Sequence, residues 1–264
     1  MPTFAGSAGS VHYERWLPEG AVSRIVIIVH GYAEYAARYA HVAEHLTALG
    51  AAVYAEDHMG HGHSDGEQAL ITDFGDVVAD VRRLYEIATG EHPGAPVVMI
   101  GHSMGGLLTS RFAQTYPNDL AGIGLLGAVI GDWTWAREAL AAPELPPATT
   151  DFSGMSRDAD AVHGYATDPL VYRGRYKRPL LEAEMIALDQ FQANIDALTM
   201  PVLFCHGDDD PFVDYRTSLA AVEAMPSTDK TIRVYEGARH ELVNETNRDE
   251  VIAEIAAFVD RVCG

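Results

Sequence analysis

Apolar and polar residues alternate along most of this chain in blocks that have the lengths of strands and helices. Continuous apolar runs predict buried strands at residues 23–29, 51–55, 96–100, 120–129, 201–205 and 231–235. Apolar residues at helical spacing predict helices at residues 39–49, 74–88, 107–116, 215–225 and 248–262. This order predicts an α/β fold, with a mostly parallel sheet that has helices on both faces. The segment 11–17 adds a predicted antiparallel strand at the edge of the sheet.

The alternation stops after Gly131 and resumes at residue 201. Residues 132–180 are irregular and rich in proline. We therefore predict a core formed by residues 1–131 and 181–264. Residues 132–180 are then inserted as a cap over the carboxyl ends of the strands, where ligands bind in such sheets. The apolar side chains of the insertion either line a pocket or form the cap's own small core; they are Trp133, Trp135, Leu140, Leu145, Phe152, Met155 and Tyr165.

Composition limits the class of protein. The 264 residues are 48% hydrophobic and 21% charged, which is ordinary for a globular protein. No segment approaches the ~20 apolar residues of a transmembrane helix, and the first residues lack the basic and apolar regions of a secretory signal. We therefore expect a cytoplasmic protein. Cys205 and Cys263 are far apart in the sequence, and we expect both to be free thiols.

The charge balance limits the possible partners. The net charge is −20, from 38 acidic and 18 basic residues. Such a charge argues against binding to nucleic acid or to anionic lipid, so we expect at most peripheral membrane contact through the cap. The acidity is interpreted as an aid to solubility, with adaptation to high salt as the alternative. Monomer and homodimer both remain open.

The strongest chemical signal is the segment Gly101-His102-Ser103-Met104-Gly105, which follows a predicted strand and precedes a predicted helix. This G-x-S-x-G pattern is typical of a tight turn that exposes a nucleophilic serine. Glycines two positions away on each side leave room for the chain segments that crowd such a turn. We therefore predict Ser103 as a nucleophile, and we interpret His102 as a packed neighbour rather than a second base.

A serine hydroxyl needs a nearby base to remove its proton. In this type of fold the acidic residue and then the base follow the serine along the chain. His240 lies between the last predicted strand and the last predicted helix, and we predict it as the base. We predict Asp210 as the carboxylate that orients it, because Gly207 makes the turn that lets Asp210 point back towards the site. The competing carboxylates are Asp208, Asp209 and Asp214.

The negative oxygen that forms during such a reaction needs N–H donors, each of which contributes about 2.7–4 kcal/mol to transition-state stabilisation. One predicted donor is the backbone N–H of Met104, directly after the serine. The other is the backbone N–H of Tyr32, in the loop after the first apolar strand, where Gly31 lets the backbone turn in. We expect the Tyr32 ring to narrow the pocket.

Further motifs accompany this turn. They are His30-Gly31-Tyr32-Ala33-Glu34-Tyr35-Ala36-Ala37-Arg38-Tyr39, Asp57-His58-Met59-Gly60-His61-Gly62-His63-Ser64-Asp65-Gly66, Ser156-Arg157-Asp158 and Thr167-Asp168-Pro169-Leu170-Val171. With these motifs the chain resembles the monoacylglycerol lipase branch of the α/β-hydrolases, and especially its bacterial members. Ala33 and Tyr35 stand where that family usually has glycine and histidine, and Met59 stands where it has arginine.

The resemblance implies an α/β-hydrolase fold and a serine carboxylester hydrolase that cleaves monoacylglycerols to fatty acid and glycerol through an acyl-enzyme. It implies a small lipid ester as substrate, no cofactor and no metal. It also implies that Glu34 and Arg38 help to form the pocket for the glycerol end. Their i, i+4 spacing leaves an ion pair on a helix surface as the alternative. We expect Trp133 and Trp135 to contact the substrate.

Other activities remain open, because a fold does not dictate its substrate. The same residues would serve a lysophospholipase, a broad short-chain carboxylesterase or a thioesterase. The cap residues that suit a charged headgroup are Arg157, Arg173, Arg175, Lys177 and Arg178. A protein of a different class, a non-catalytic ligand-binding member of this fold, is disfavoured by the intact triad. A metal site at His58, His61 and His63 is disfavoured because the family loop accounts for this segment.

Overall fold

The computed structural model describes residues 1–264 and contains one eight-stranded sheet. The strands are β1 (Thr3–Gly6), β2 (Gly9–Trp16), β3 (Arg24–Val29), β4 (Ala51–Glu56), β5 (Val97–His102), β6 (Gly122–Leu126), β7 (Val202–Gly207) and β8 (Lys230–Tyr235). The α-helices are α1 (Ala40–Ala48), α2 (Phe74–Glu91), α3 (Met104–Thr115), α4 (Thr134–Ala141), α5 (Ala159–Thr167), α6 (Arg178–Ala193), α7 (Tyr215–Ala224) and α8 (Arg248–Cys263). Short 3-10 helices lie at Ala36–Tyr39, Ser153–Met155, Ile195–Ala197 and Leu242–Asn244.

The strands follow the spatial order β1-β2-β4-β3-β5-β6-β7-β8. β1 and β2 pair antiparallel at one edge, and the other strands run parallel to one another. Val29 of β3 lies opposite Gly101 of β5, and Gly207 of β7 lies opposite Tyr235 of β8. The loops that leave the carboxyl ends of these strands therefore lie at the same edge of the sheet, where ligands bind in folds of this kind.

Side chains of the sheet contribute to two apolar cores, because successive residues of a strand point to opposite faces. In β3, Ile25 and Ile27 belong to the larger core, and Val26 and Ile28 belong to the smaller one. Helices α2, α3 and α6 cover the larger core, and helices α1 and α8 cover the smaller one. Strands β4 to β7 are buried along their whole length, which is why they appear as continuous apolar runs in the sequence.

The predicted α/β fold is confirmed. Strand β2 is antiparallel as predicted, but β1 and not β2 forms the edge of the sheet. The strand predicted at residues 120–129 is shorter, because Gly127 turns away after β6 with a φ of 51°. The sequence pattern did not predict β1, α4, α5 or α6. Helix α6 has a proline in its first turn and buries Leu180, Leu188 and Phe191, a helical spacing that would have revealed it.

Helices α4 and α5 lie in the segment between β6 and α6, and this segment supplies part of the wall of the cavity described below. Helix α6 packs against α3 and α2. The division into a core and a cap of residues 132–180 stays a prediction. No helix is long and apolar enough to cross a lipid bilayer. Cys205 and Cys263 are free thiols, as expected.

Candidate active site

Ser103 lies in the sharp turn between β5 and α3. Its φ of 54° and ψ of −122° fall in a sparsely populated region, where a residue stores about 1–3 kcal/mol of strain. A side chain at Gly101 would collide with the main-chain oxygen of Gly105, and one at Gly105 would collide with those of Val29 and His30. The two glycines therefore allow α3 to lie against the sheet and leave the serine at its edge.

Ser103, His240 and Asp210 form a continuous chain of hydrogen bonds. Ser103 Oγ lies 3.0 Å from Nε2 of His240, and Nδ1 of His240 lies 2.7 Å from Oδ2 of Asp210. Because an ionised carboxylate only accepts, His240 donates from Nδ1 and leaves Nε2 free to accept the serine proton. The fold thus brings together three side chains that are far apart in the sequence.

Asp210 is enclosed by donors. Its Oδ1 accepts from the backbone N–H groups of Phe212 and Val213 at 2.9 and 3.1 Å, and its Oδ2 also accepts from Nε2 of His206 at 3.1 Å. Burial by itself raises the pKa of Asp210. The charge of His240 and the hydrogen bonds from both histidines outweigh burial and hold the pKa well below its usual range. Asp210 is therefore ionised and able to stabilise a protonated His240.

The competing carboxylates of this loop have other partners. Asp208 accepts from a backbone N–H in the loop between β8 and α8, and Asp214 caps the start of α7. Asp209 lies 3.6 Å from the guanidinium nitrogen Nε of Arg239. Sequence reasoning did not select His206, although it is buried and bonded to Asp210. Its position four residues before Asp210 is the one signal that could have suggested the contact.

Two backbone N–H groups adjoin the serine. Tyr32 follows β3 and Met104 begins α3, and both line the same cavity as Ser103. None of the backbone hydrogen bonds in loops and turns uses either N–H, and the first N–H groups of a helix have no partner within it. An added Cβ at Gly31 would lie 3.1 Å from Cβ of Ser103, so glycine permits this close approach of the Tyr32 loop.

Glu34 is buried behind the serine turn and is only 3% exposed. Its Oε1 accepts from Nδ1 of His102 at 2.8 Å, from the hydroxyl of Tyr39 at 2.7 Å and from the N–H of Gly31 at 2.8 Å. Burial by itself raises the pKa of Glu34, but the hydrogen bond and charge of His102 outweigh it and lower the pKa. An ionised Glu34 thus ties the loop after β3 to the residue before Ser103.

Arg38 extends this buried network. It lies 3.3 Å from Glu34 Oε2 and donates to both carboxylate oxygens of Glu241 at 2.7 Å. The alternative of an ion pair on a helix surface is therefore wrong, because both carboxylates are buried.

His102 completes the network. Its Nε2 lies 3.1 Å from the carbonyl oxygen of His240, so both of its ring nitrogens face acceptors and the ring donates twice. Burial lowers the pKa of His102, but the hydrogen bond and charge of Glu34 outweigh it and raise the pKa. Two buried carboxylates, on Glu34 and Glu241, are then balanced by the guanidinium of Arg38 and the imidazolium of His102.

Ser103 lines a cavity of about 330 Å³. Glu34, Trp133 and Trp135, which were predicted to bind substrate, line it as well, whereas Arg38 does not. Of the apolar side chains predicted for the cap, those in the cavity wall are Trp133, Trp135, Phe152, Met155 and Tyr165. Leu145 lies in the larger core and Leu140 packs against it. The pocket interpretation thus applies to five of the seven side chains, and Trp133 also belongs to the larger core; the other two pack with that core instead of forming a small core of the cap.

The cavity also contains groups that the sequence analysis missed. The rings of Tyr32 and Tyr176 stack at 4.2 Å with an interplanar angle of 12°, so the Tyr32 ring lies in the wall. Glu184 of α6 lines the same cavity and is 1% exposed. Burial raises its pKa to about 8. Because α6 was not predicted, no sequence signal pointed to Glu184.

One group of side chains is close enough to share a metal ion. The ligand atoms of His12, Asp57 and His63 lie within 4.8 Å of one another, and none of these residues lines the cavity. Asp57 already accepts from two backbone N–H groups at 2.8 Å. His58 and His61 lie in the interior instead, and burial lowers the pKa of each to about 4. The ring of His58 contacts Glu56 and the carbonyl of His30, and the ring of His61 contacts the carbonyl of Met59.

Comparisons with known proteins agree with one another. The family described as "Serine aminopeptidase, S33" matches residues 20–247. The chain is 34% identical to the monoacylglycerol lipase of Mycolicibacterium smegmatis, over 97% of this chain and 95% of that protein. It is 32% identical to the monoglyceride lipase of Homo sapiens, over 93% of this chain and 84% of that protein. The crystal structure of Paleococcus ferrophilus monoacylglycerol lipase has a TM-score of 0.83 and 25% identity, and covers 96% of this chain and 99% of that one.

Proposed function

This chain belongs to the α/β-hydrolases as a monoacylglycerol lipase-like serine hydrolase, and from that premise we propose that it cleaves monoacylglycerols to fatty acid and glycerol through an acyl-enzyme on Ser103. The observation that carries the proposal is the 3.0 Å contact between Ser103 Oγ and Nε2 of His240. This contact activates the hydroxyl, because the ring accepts its proton as the oxygen attacks.

Acylation begins when Ser103 Oγ attacks the ester carbonyl carbon and Nε2 of His240 takes the proton. The ionised Asp210, 2.7 Å from Nδ1, stabilises the imidazolium that forms. The backbone N–H groups of Tyr32 and Met104 donate to the oxyanion. As the tetrahedral intermediate collapses, His240 returns the proton from Nε2 to the departing glycerol oxygen, and the acyl group stays on Ser103.

Deacylation repeats these steps with water as the nucleophile. His240 removes a proton from water, the hydroxide oxygen attacks the acyl carbon, and the same two N–H groups hold the second oxyanion. Collapse breaks the bond to Ser103 Oγ, which regains the proton from His240, and the fatty acid is released. Water is the only co-substrate, so this chemistry requires no cofactor.

Glu34 and His102 act as positioning residues in this scheme. Glu34 holds the N–H of Gly31, next to the proposed oxyanion donor Tyr32. His102 holds the main-chain carbonyl of His240. The loop that contains Tyr32 is thus joined to His240 through the buried pair of Glu34 and His102. This pair keeps the reacting groups in the geometry that the reaction requires.

The monoacylglycerol substrate is supported by the distribution of polar groups in the cavity. The leaving alcohol must lie beside His240, which protonates it. There the wall contains Glu241, whose carboxylate oxygens can accept further hydrogen bonds from glycerol hydroxyls. Apolar side chains make up 14 of the 26 lining residues, and they suit an acyl chain. The names of the two curated relatives point to the same substrate class.

A fluorophosphonate probe and a substrate panel test this proposal. We expect the probe to label the wild type and the exposed-serine control Ser153→Ala, but not Ser103→Ala. We expect a monoacylglycerol to have a higher kcat/KM than a diacylglycerol or a lysophosphatidylcholine with the same acyl chain. Labelling of Ser103→Ala would refute the nucleophile. Faster turnover of the lysophospholipid would replace the proposed substrate.

A further inference from the structure

Glu184 and the Tyr32 hydroxyl are unusual among the groups in the cavity wall. Oε2 of Glu184 is buried without a hydrogen-bond partner, and so is the hydroxyl oxygen of Tyr32. An unpaired buried polar group costs about 1–3 kcal/mol, and such groups are rare in native proteins. Two of them in one cavity indicate that their partner is a ligand.

Aromatic stacking keeps these groups together. The Tyr32 ring stacks on the Tyr176 ring at 4.2 Å, and Trp135 packs against the Tyr176 ring at 5.2 Å. Burial raises the pKa of Tyr32 and of Tyr176, and the nearby Glu184 carboxylate raises both further. All three side chains line the same cavity. We call Glu184, Tyr32 and Tyr176 the polar subsite.

The chemistry of the polar subsite narrows its ligand. Burial raises the pKa of Glu184, and a buried protonated carboxyl favours a neutral ligand over an anion. The one arginine of the cavity wall, Arg173, already donates to the main-chain oxygen of Asp168. A protonated carboxyl donates one hydrogen bond and accepts others, and a phenol does the same. A neutral hydroxyl, which also donates and accepts, satisfies both groups.

We propose that Glu184 and the Tyr32 hydroxyl bind a hydroxyl group of the ester substrate, so that the enzyme selects hydroxylated esters over plain esters of the same length. This inference rests on the proposed hydrolysis at Ser103 and assigns it a specificity-determining residue. The hydroxyl belongs either to the acyl chain or to the leaving alcohol. Both sources would present the same hydroxyl group to Glu184 and Tyr32, and the substrate pairs described below distinguish them.

Two substrate pairs form the test. The acyl pair is p-nitrophenyl octanoate and a set of p-nitrophenyl hydroxyoctanoates with the hydroxyl at different carbons. The alcohol pair is propyl octanoate and monooctanoylglycerol. kcat/KM is measured for the wild type, Glu184→Leu, Glu184→Gln and Glu182→Leu. Glu182 lies on the same helix but is exposed, so it provides a matched control for the same substitution.

We expect the ratio of kcat/KM for the hydroxylated ester over the plain ester to fall about tenfold in Glu184→Leu for one pair, which corresponds to about 1.4 kcal/mol. Glu184→Gln retains a donor and an acceptor, so it is expected to keep most of the preference. Glu182→Leu is expected to leave the ratio unchanged. The pair in which the ratio falls identifies the source of the hydroxyl.

Other outcomes overturn the inference in distinct ways. An unchanged kcat/KM for every ester in Glu184→Leu would mean that bound water satisfies Glu184. An equal loss for plain and hydroxylated esters would mean that Glu184 has only a structural role; thermal melting of Glu184→Gln then shows whether folding is affected. If the wild type hydrolyses none of the esters, the proposed reaction itself is wrong and the inference falls with it.

Discussion

Ser103 has a backbone conformation that few serines adopt, and close packing maintains it. With φ at 54°, the residue is strained, and the glycines on both sides let the surrounding backbone hold it in place. Strain of this kind persists where the surroundings over-determine it, which occurs often at functional sites. At the scale of single residues, the geometry of the site therefore depends on glycine positions where even an added methyl group would collide with neighbouring atoms.

Ala33 is strained without an evident chemical role. Its φ is 70°, a conformation that costs a non-glycine residue about 1–2 kcal/mol. We expect Ala33→Gly to increase the free energy of unfolding by about 1 kcal/mol, because glycine adopts this conformation without strain. Urea denaturation measures the change. The control Ala253→Gly, at an exposed position inside α8, should instead destabilise by about 0.5–1 kcal/mol; destabilisation by both variants would contradict the prediction.

Asp210 provides the second prediction at this scale. Asp210→Asn replaces an acceptor with an amide that cannot stabilise a charged His240 or select its tautomer, so we expect kcat to fall by about 10⁴-fold. Ester hydrolysis under saturating substrate measures it. The neighbouring exposed Asp209→Asn removes the same charge and should retain nearly full activity. Comparable activity of both variants would rule out Asp210 as the orienting carboxylate.

Helix α6 shows how one element links the core to the site. Leu180, Leu188 and Phe191 bury one face of it, and Pro179 in its first turn supplies a fixed φ. Glu184 is buried on the same helix, yet it faces the cavity rather than a charged partner. The element thus stabilises the fold through its apolar residues and introduces a protonatable group into the cavity wall through one polar residue.

The raised pKa of Glu184 makes stability depend on pH. At a pH below its ordinary pKa of 4.5, Glu184 is protonated in both the folded and the unfolded protein. Between pH 4.5 and about 8, only the folded protein keeps the proton. Stability therefore falls as pH rises through this window, by an amount on the order of a few kcal/mol. We expect Glu184→Gln to be stabilised relative to the wild type more at about pH 9 than at about pH 5.

Urea denaturation at both pH values measures this difference. The control Glu182→Gln changes an exposed glutamate on the same helix, and its effect should be small and similar at both pH values. The same stability difference for Glu184→Gln at both pH values would show that Glu184 is ionised in the folded protein.

The whole molecule carries an excess of negative charge. Its net charge of −20 repels the compact state, while the buried network around Ser103 pairs two carboxylates with two cations. Acidity is therefore a property of the surface, and the network behind the serine is locally neutral. Salt acts on the surface charges much more than on the buried network, because buried pairs are screened less than exposed charges.

Salt should therefore stabilise this protein. Raising the NaCl concentration from about 0.1 to about 1 M shortens the screening length from about 10 to about 3 Å, which weakens repulsion among surface carboxylates. We expect Tm to rise by about 2 °C or more, as about 1 kcal/mol does for chains near this size. Thermal unfolding in NaCl and in KCl measures it, and equal rises in both salts exclude an effect of specific cation binding. A constant or falling Tm would contradict the prediction.

Much of the fold and of the site was predictable, and the omissions have physical causes. The strands were visible because buried parallel strands are continuous apolar runs, and Ser103, Asp210 and His240 were visible because each follows such a run. β1 was missed because its residues are at most half-buried and show no strong pattern. Helix α6 was missed because the irregular segment before it hid its apolar spacing.

Local spacing along the chain was enough to determine the sheet and the turn at Ser103 and to predict the order of the proposed nucleophile, acid and base, because those features depend on neighbours in sequence. Only the tertiary structure decided that Arg38 pairs with Glu241, that His102 pairs with Glu34, and that Glu184 faces the cavity without a partner. The physical reason is that burial and charge pairing depend on which distant segments meet, and no short window of sequence contains both members of such a contact.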